Sequence, residues 1–205
     1  MQRVSNKEKL LAEGVRVVHK RGLSGASIRD IAQAAGVPKG SFTNHFGSKE
    51  AFGLEIIDRY LGASREIVAK TLRNDTIPPL ERLRAYIDSY QELLTQHGVQ
   101  NGCLYGNMSA EVSEHSEAIR SKIADVFTEV GLALAHCLQA AVQSNELPPD
   151  FECERTARFI VSSLQGAILV AKVFRTTRAI EDFRHTLFST VLNCSGKPDL
   201  HLPLA

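Results

Sequence analysis

Residues 27–50, SIRDIAQAAGVPKGSFTNHFGSKE, restrict this chain more than any other stretch: they admit little besides two short helices around a tight turn, with a third ready to follow. Ser27 is a good N-cap, and Asp30 stands three residues on, close to a capping box. Ile28, Ile31, Ala32 and Ala35 recur at helical spacing. Gly36 ends that helix, since a residue without Cβ turns left-handed at little cost. Pro38 suits the first turn of a second helix, Lys39 to His45, with Phe42 and Phe46 as aromatic anchors and small polar groups elsewhere. Two helices joined by a Gly turn, the second polar and basic, form the arrangement that enters a DNA groove. Similar helix pairs occur in helical proteins that never meet DNA, so the pattern alone leaves both readings open.

Charge separates them. Residues 1–50 hold nine Lys/Arg against four Asp/Glu, while the remainder holds 15 basic against 19 acidic residues, an asymmetry hidden by the overall +1. A basic head on an acidic body is suited to presenting one end to phosphate.

Three blocks carry a resemblance: Gly22-Leu23-Ser24-Gly25-Ala26-Ser27-Ile28-Arg29-Asp30-Ile31-Ala32, then Ala35-Gly36-Val37-Pro38-Lys39-Gly40-Ser41-Phe42, then His45-Phe46-Gly47-Ser48-Lys49-Glu50. In this order they resemble the N-terminal domain of the TetR/AcrR family of bacterial repressors, over about residues 7–60. The resemblance implies an all-α homodimer on double-stranded operator DNA, with a DNA-binding domain (1–50) and a regulatory, dimerising domain (51–205). Helix 4 (48–73) would link them. The family usually has Tyr where this chain has Thr43. Thr43 keeps one hydrogen bond but loses reach, so altered affinity or operator preference is expected rather than loss of binding.

At 205 residues the chain can bury a substantial core. Helical periodicity without alternating strand runs favours an all-α fold of about nine helices. No apolar run approaches the ~18 residues that span a bilayer, and the N-terminus lacks the apolar core of a signal peptide. Cys103, Cys137, Cys153 and Cys194 show no CxxC spacing and are expected to be thiols in a cytoplasmic protein. Helix 1 is expected over Asn6–Lys20, helix 5 over Leu80–Gln96, helix 6 from about Asn101 to Val112, and helix 7 over Ser116–Ser144. Helix 8, Phe151–Phe174, is apolar on nearly every side. Helix 9 places Ile180, Phe183, Leu187, Phe188, Val191 and Leu192 on one stripe. Helices 8 and 9 are therefore expected to form a four-helix dimer interface.

For DNA reading, the expected set is Lys39, Gly40, Ser41, Thr43, Asn44 and His45, with Asn44 able to pair bidentately with adenine. Arg29 and Lys49 are expected to hold phosphates and set register. His45 reads equally well as a phosphate donor or as a merely exposed residue.

A second segment, Asn101-Gly102-Cys103-Leu104, runs on through Met108-Ser109-Ala110-Glu111-Val112. With Asn101 as N-cap, Cys103 would lie in the first turn of helix 6, where peptide N–H groups favour the thiolate. Together with Lys172, these positions resemble the N-ethylmaleimide-responsive branch of the family, which implies a small-molecule inducer acting through a cysteine. In one reading Cys103 is alkylated or oxidised, with Lys172 stabilising the thiolate; a buried Lys172 would take Glu111 or that thiolate as its partner. In the other it is a small buried packing residue.

A reversible effector pocket is the alternative mechanism, lined by Tyr86, Tyr90, Leu94, Tyr105, Met108, Phe127, Leu164, Gln165 and Ile168. Enzyme motifs are missing: there is no Gly-rich phosphate loop, nucleophile elbow or HExxH. His97, Cys103, His115, His136 and Cys137 match no common metal spacing. No catalysis, cofactor, metal or membrane partner is expected.

Overall fold

The computed structural model describes residues 4–192. Its described residues form nine α-helices and no strand: α1 (Asn6–Arg21), α2 (Ile28–Ala34), α3 (Lys39–His45), α4 (Lys49–Lys70), α5 (Pro79–His97), α6 (Leu104–Val112), α7 (Glu117–Gln143), α8 (Cys153–Phe174) and α9 (Arg178–Thr186). A 3-10 turn, Val99–Asn101, precedes α6, and a π turn, Leu187–Val191, continues α9. Side chains cap the starts of the head helices. Ser5, Ser27 and Ser48 each accept a backbone N–H three residues on, and Ser27 with Asp30 completes the capping box.

The head is α1, α2, α3 and the start of α4. Phe42, Phe46 and Phe52 stack in its core with ring centroids 4.9–5.1 Å apart, all three nearly inaccessible. Gly14 of α1 faces Phe52 of α4 so closely that a Cβ would overlap the ring. Gly36 turns the chain with φ +62 between α2 and α3. In the body, α7 and α8 pack together, α4 and α5 lie on α7, and α9 lies on α8.

Three expectations are corrected. Helix 4 ends at Lys70 rather than 73, where the Thr71 hydroxyl bonds back to the Ile67 carbonyl at 2.7 Å. The stripe of helix 9 is largely internal: Ile180, Leu187, Phe188 and Leu192 are buried and Phe183 and Val191 half-buried, because α9 packs on α8 and α5. By length and composition, α7 and α8 do reach the mark of a membrane-crossing helix, with windows of mean hydropathy 1.2 and 1.5. In the fold those windows are 39% and 28% buried.

Candidate functional site

The short α3 leaves its outer face open. Lys39, Gly40, Thr43, Asn44 and His45 are exposed, while Ser41 is half-buried. Thr43 donates to the Gly40 carbonyl at 3.0 Å, within its own helix, and Ser41 accepts from Asn6 at 3.3 Å. Arg29, on α2, is exposed beside it. Lys49 is half-buried and gives one proton to the Ser24 carbonyl at 2.9 Å. Several other head cations are paired: Lys7 with Glu55, Arg21 with Asp30, Arg59 with Glu8. Among the described residues, Arg29 and Lys39 have no ion-pair partner. The face therefore offers two cations flanking an amide and small hydroxyls, the chemistry of phosphate anchoring around base reading.

Behind the head lies a cavity of about 580 Å³. Its walls come from α1 (Ala12, Val15, Arg16, His19), α4 (Tyr60, Ala63, Ser64, Glu66, Ile67, Lys70), α5 (Tyr90, Leu93, Leu94, His97), Gly98, residues 101–103 and Ile168 of α8. Burial lowers the His19 pKa below its ordinary 6.5, so the ring is neutral, and its Nε2 meets the Gly102 carbonyl at 2.9 Å. Burial also raises the Tyr60 and Tyr90 phenols. The lining is thus mostly apolar, with the hydroxyls and the His19 imidazole uncharged and the exposed Arg16, Glu66 and Lys70 at its border.

Only part of the expected pocket lines this cavity: Tyr90, Leu94 and Ile168 do. Tyr86 lies behind Tyr90, hydroxyl to hydroxyl at 3.2 Å, and its own pKa is pushed up to about 12 by burial. Tyr105 shares a 3.2 Å hydrogen bond with Ser64, which is on the wall. Met108 and Leu164 are sealed in the core. Gln165 lies against Gly106, next to the start of α6. Phe127 lines a separate hollow of about 400 Å³ between α7 and α8. The cavity sits nearer the head than expected because α1 and α4 supply half its wall. His19, Tyr60 and Ser64 were legible only as head or linker residues.

Cys103 lines the cavity, but not as a first-turn residue. Residues 99–101 form their own turn, and Gly102 resets the chain at φ +66, so Cys103 itself is the N-cap of α6. Burial raises its thiol above the ordinary 9.0, and the amides of Gly106 and Tyr105 with the Gln165 side chain offset only part of that. The expected lowered pKa is overturned: desolvation outweighs the helix start. Lys172 is half-buried and donates to Asn107 at 2.8 Å, rather than to Glu111 or the thiolate. Cys137 donates to the Pro79 carbonyl at 3.2 Å, Cys153 is half-buried at the start of α8, and Cys194 lies outside the described residues. No three His, Cys, Asp or Glu gather as metal ligands among the described residues.

An open, cationic recognition helix on a phenylalanine-cored head, backed by a mostly apolar cavity, defines a helix-turn-helix regulator of transcription. Comparison with known proteins identifies which kind. Residues 6–56 match the model of bacterial regulatory proteins of the tetR family, and residues 79–187 match the tetracyclin repressor-like C-terminal domain. The HTH-type transcriptional repressor DhaR of Mycobacterium sp. (strain GP1) is 33% identical over 94% of this chain and 95% of its own. The repressor NemR of Escherichia coli K12 is 31% identical over 86% and 88%. Among solved structures, reduced E. coli NemR superposes with TM-score 0.81 at 30% identity over 95% of this chain and 99% of that one. A TetR regulatory protein from Rhodobacter sphaeroides gives 0.83 at 28% identity over 87% and 95%. The chain belongs to the TetR family and is a transcriptional repressor of that family.

Proposed function

We propose that the chain represses as a homodimer, and that a small, largely apolar molecule entering the cavity behind the head releases it from operator DNA. The carrying observation is the cavity's wall, which joins α1 of the head to α4, α5 and the start of α6. An occupant touches both the reading unit and the body, so its binding energy acts on their relative placement. Specific operator binding exceeds non-specific binding by only ~4–10 kcal/mol, so a disfavoured spacing of a few kcal/mol is enough for release. Arg29, Lys39 and Lys49 anchor phosphates in this reading, and Ser41, Thr43, Asn44 and His45 face base edges over the close-approach point at Gly40.

The second copy docks on the outer face of α8. Phe159, Leu169, Val170, Val173 and Phe174 are exposed there, with Leu132 of α7 beside them. Six large apolar side chains on one side are more than an isolated body tolerates in water. Since the α9 stripe is largely internal, α8 supplies most of this contact.

A second reading, covalent capture of an electrophile, is favoured by the Cys103 thiol at the cavity wall and by the similarity to NemR. Its raised pKa makes capture depend on an occupant already held against it. A panel of neutral aromatic compounds, read by Tm and by operator affinity, tests both readings. A compound that raises Tm must weaken operator binding, and both effects must fall in Ile168→Trp. Stabilisation without release contradicts the gating; dependence on Cys103, read in Cys103→Ser, selects the covalent reading.

A further inference from the structure

Glu111 lies on α6, seven residues beyond its start at Leu104. Its carboxylate oxygens accept the backbone N–H groups of Leu23 at 2.8 Å and Ser24 at 2.5 Å, in the turn between α1 and α2. The next peptide group is held as well, where Lys49 donates to the Ser24 carbonyl at 2.9 Å. Gly22 admits the carboxylate: its φ is +76, and a Cβ there would stand 2.5 Å from a Glu111 oxygen. Leu23 is buried against Gly53 of α4, so the turn is fixed on both faces. Three residues after Ser24, the Ser27 cap begins α2. The turn therefore decides where α2 starts and where α3 points. Charge-assisted hydrogen bonds of this kind are roughly twice as strong as neutral ones.

We infer that Glu111 is a positioning residue for DNA reading: by holding the α1–α2 turn it sets the angle of the head on the body, and so the half-site spacing that the protein accepts. The inference rests on the two-headed reading proposed above. In such a pair the recognition helices must lie about one helical turn of DNA apart, ~34 Å. Glu111 binds backbone, so it carries no base information; it fixes geometry. Cys103, the N-cap of that helix, stands in the cavity wall, about 12 Å away at 1.5 Å per residue. A rigid shift of α6 by a cavity occupant would therefore pull this carboxylate against the turn.

The test starts from a duplex selected in vitro by the wild type from random DNA. Affinity is measured by anisotropy for that duplex, for one with extra base pairs between half-sites, and for a single half-site. Wild type, Glu111→Ala and Glu111→Gln are compared, and deuterium exchange of residues 22–26 is followed in the free proteins. In Glu111→Ala the preference for the selected spacing should fall about fivefold or more, the low end of typical coupling between sites. Half-site affinity should hold, exchange at 22–26 should speed up, and Glu111→Gln, keeping one acceptor, should lie between. An unchanged spacing preference in Glu111→Ala overturns the assignment. So does an equal loss of half-site affinity, which would make Glu111 a folding residue. A wild type indifferent to spacing overturns the two-headed reading itself, and the role of Glu111 with it, even if the exchange result stands.

Discussion

At the scale of single residues, the exposed side chains of α3 were the most legible part of the site. A polar residue between buried Phe42 and Phe46 has only one way to face, outward. Asn44→Ala should cost about 1–3 kcal/mol of operator binding and relax preference at one base pair, read by anisotropy on base-substituted duplexes. Cys103 was legible in position but not in chemistry. Asn101 looks like a cap, yet its side chain bonds back to the His97 carbonyl at 2.6 Å, and its own carbonyl takes Asn107. That local closure and the positive φ of Gly102 move the helix start to Cys103, and burial then decides the thiol's pKa. Alkylation of Cys103 followed by mass spectrometry should rise in rate through and beyond pH 9.0, its ordinary value; a plateau near neutral pH would contradict the burial argument. His19 titrates in the opposite sense. Burial, with Lys172 and His97 nearby, holds its folded pKa below 6.5. Its contribution to stability is complete above pH 6.5 and is lost as pH falls toward the lower folded value, because the unfolded chain binds the extra proton. Denaturant unfolding from pH 7 to 5 should show this slope in wild type and a shallower one in His19→Gln.

At the scale of elements, helices with strong caps and clean periodicity were placed within a few residues from sequence. Helix α2 is the clearest case, since Ser27, Asp30 and Gly36 mark both its ends. Ser27→Ala should lower stability by about 1 kcal/mol, measured by urea denaturation, through loss of the cap alone. Helix α9 was harder. Its stripe is equally suited to a partner's surface or to the protein's own core, and only tertiary packing, with Arg84 stacked 3.7 Å over Phe188, shows which. The cavity was illegible for a related reason. It forms where α1 meets α4 and α5, and periodicity within one helix does not say which neighbour leaves a gap.

At the scale of the whole molecule, the outer face of α8 and the head must act together for a two-headed repressor. Val173 is 68% exposed amid apolar neighbours. Val173→Glu should turn a dimer into a monomer by analytical ultracentrifugation and weaken operator binding while leaving half-site binding intact. A variant that stays dimeric would place the contact elsewhere. The central claim is that filling the cavity opens the grip on DNA, and it can be tested without knowing the natural inducer. N-ethylmaleimide, attached to Cys103 to full occupancy as checked by mass spectrometry, places an adduct in the cavity from its own wall. Cys103→Ser treated alike controls for the other cysteines. Operator affinity by fluorescence anisotropy should fall at least tenfold, about 1.4 kcal/mol, in the labelled wild type and stay unchanged in the control. Wild type fully labelled at Cys103 that still holds its operator with undiminished affinity would contradict the account.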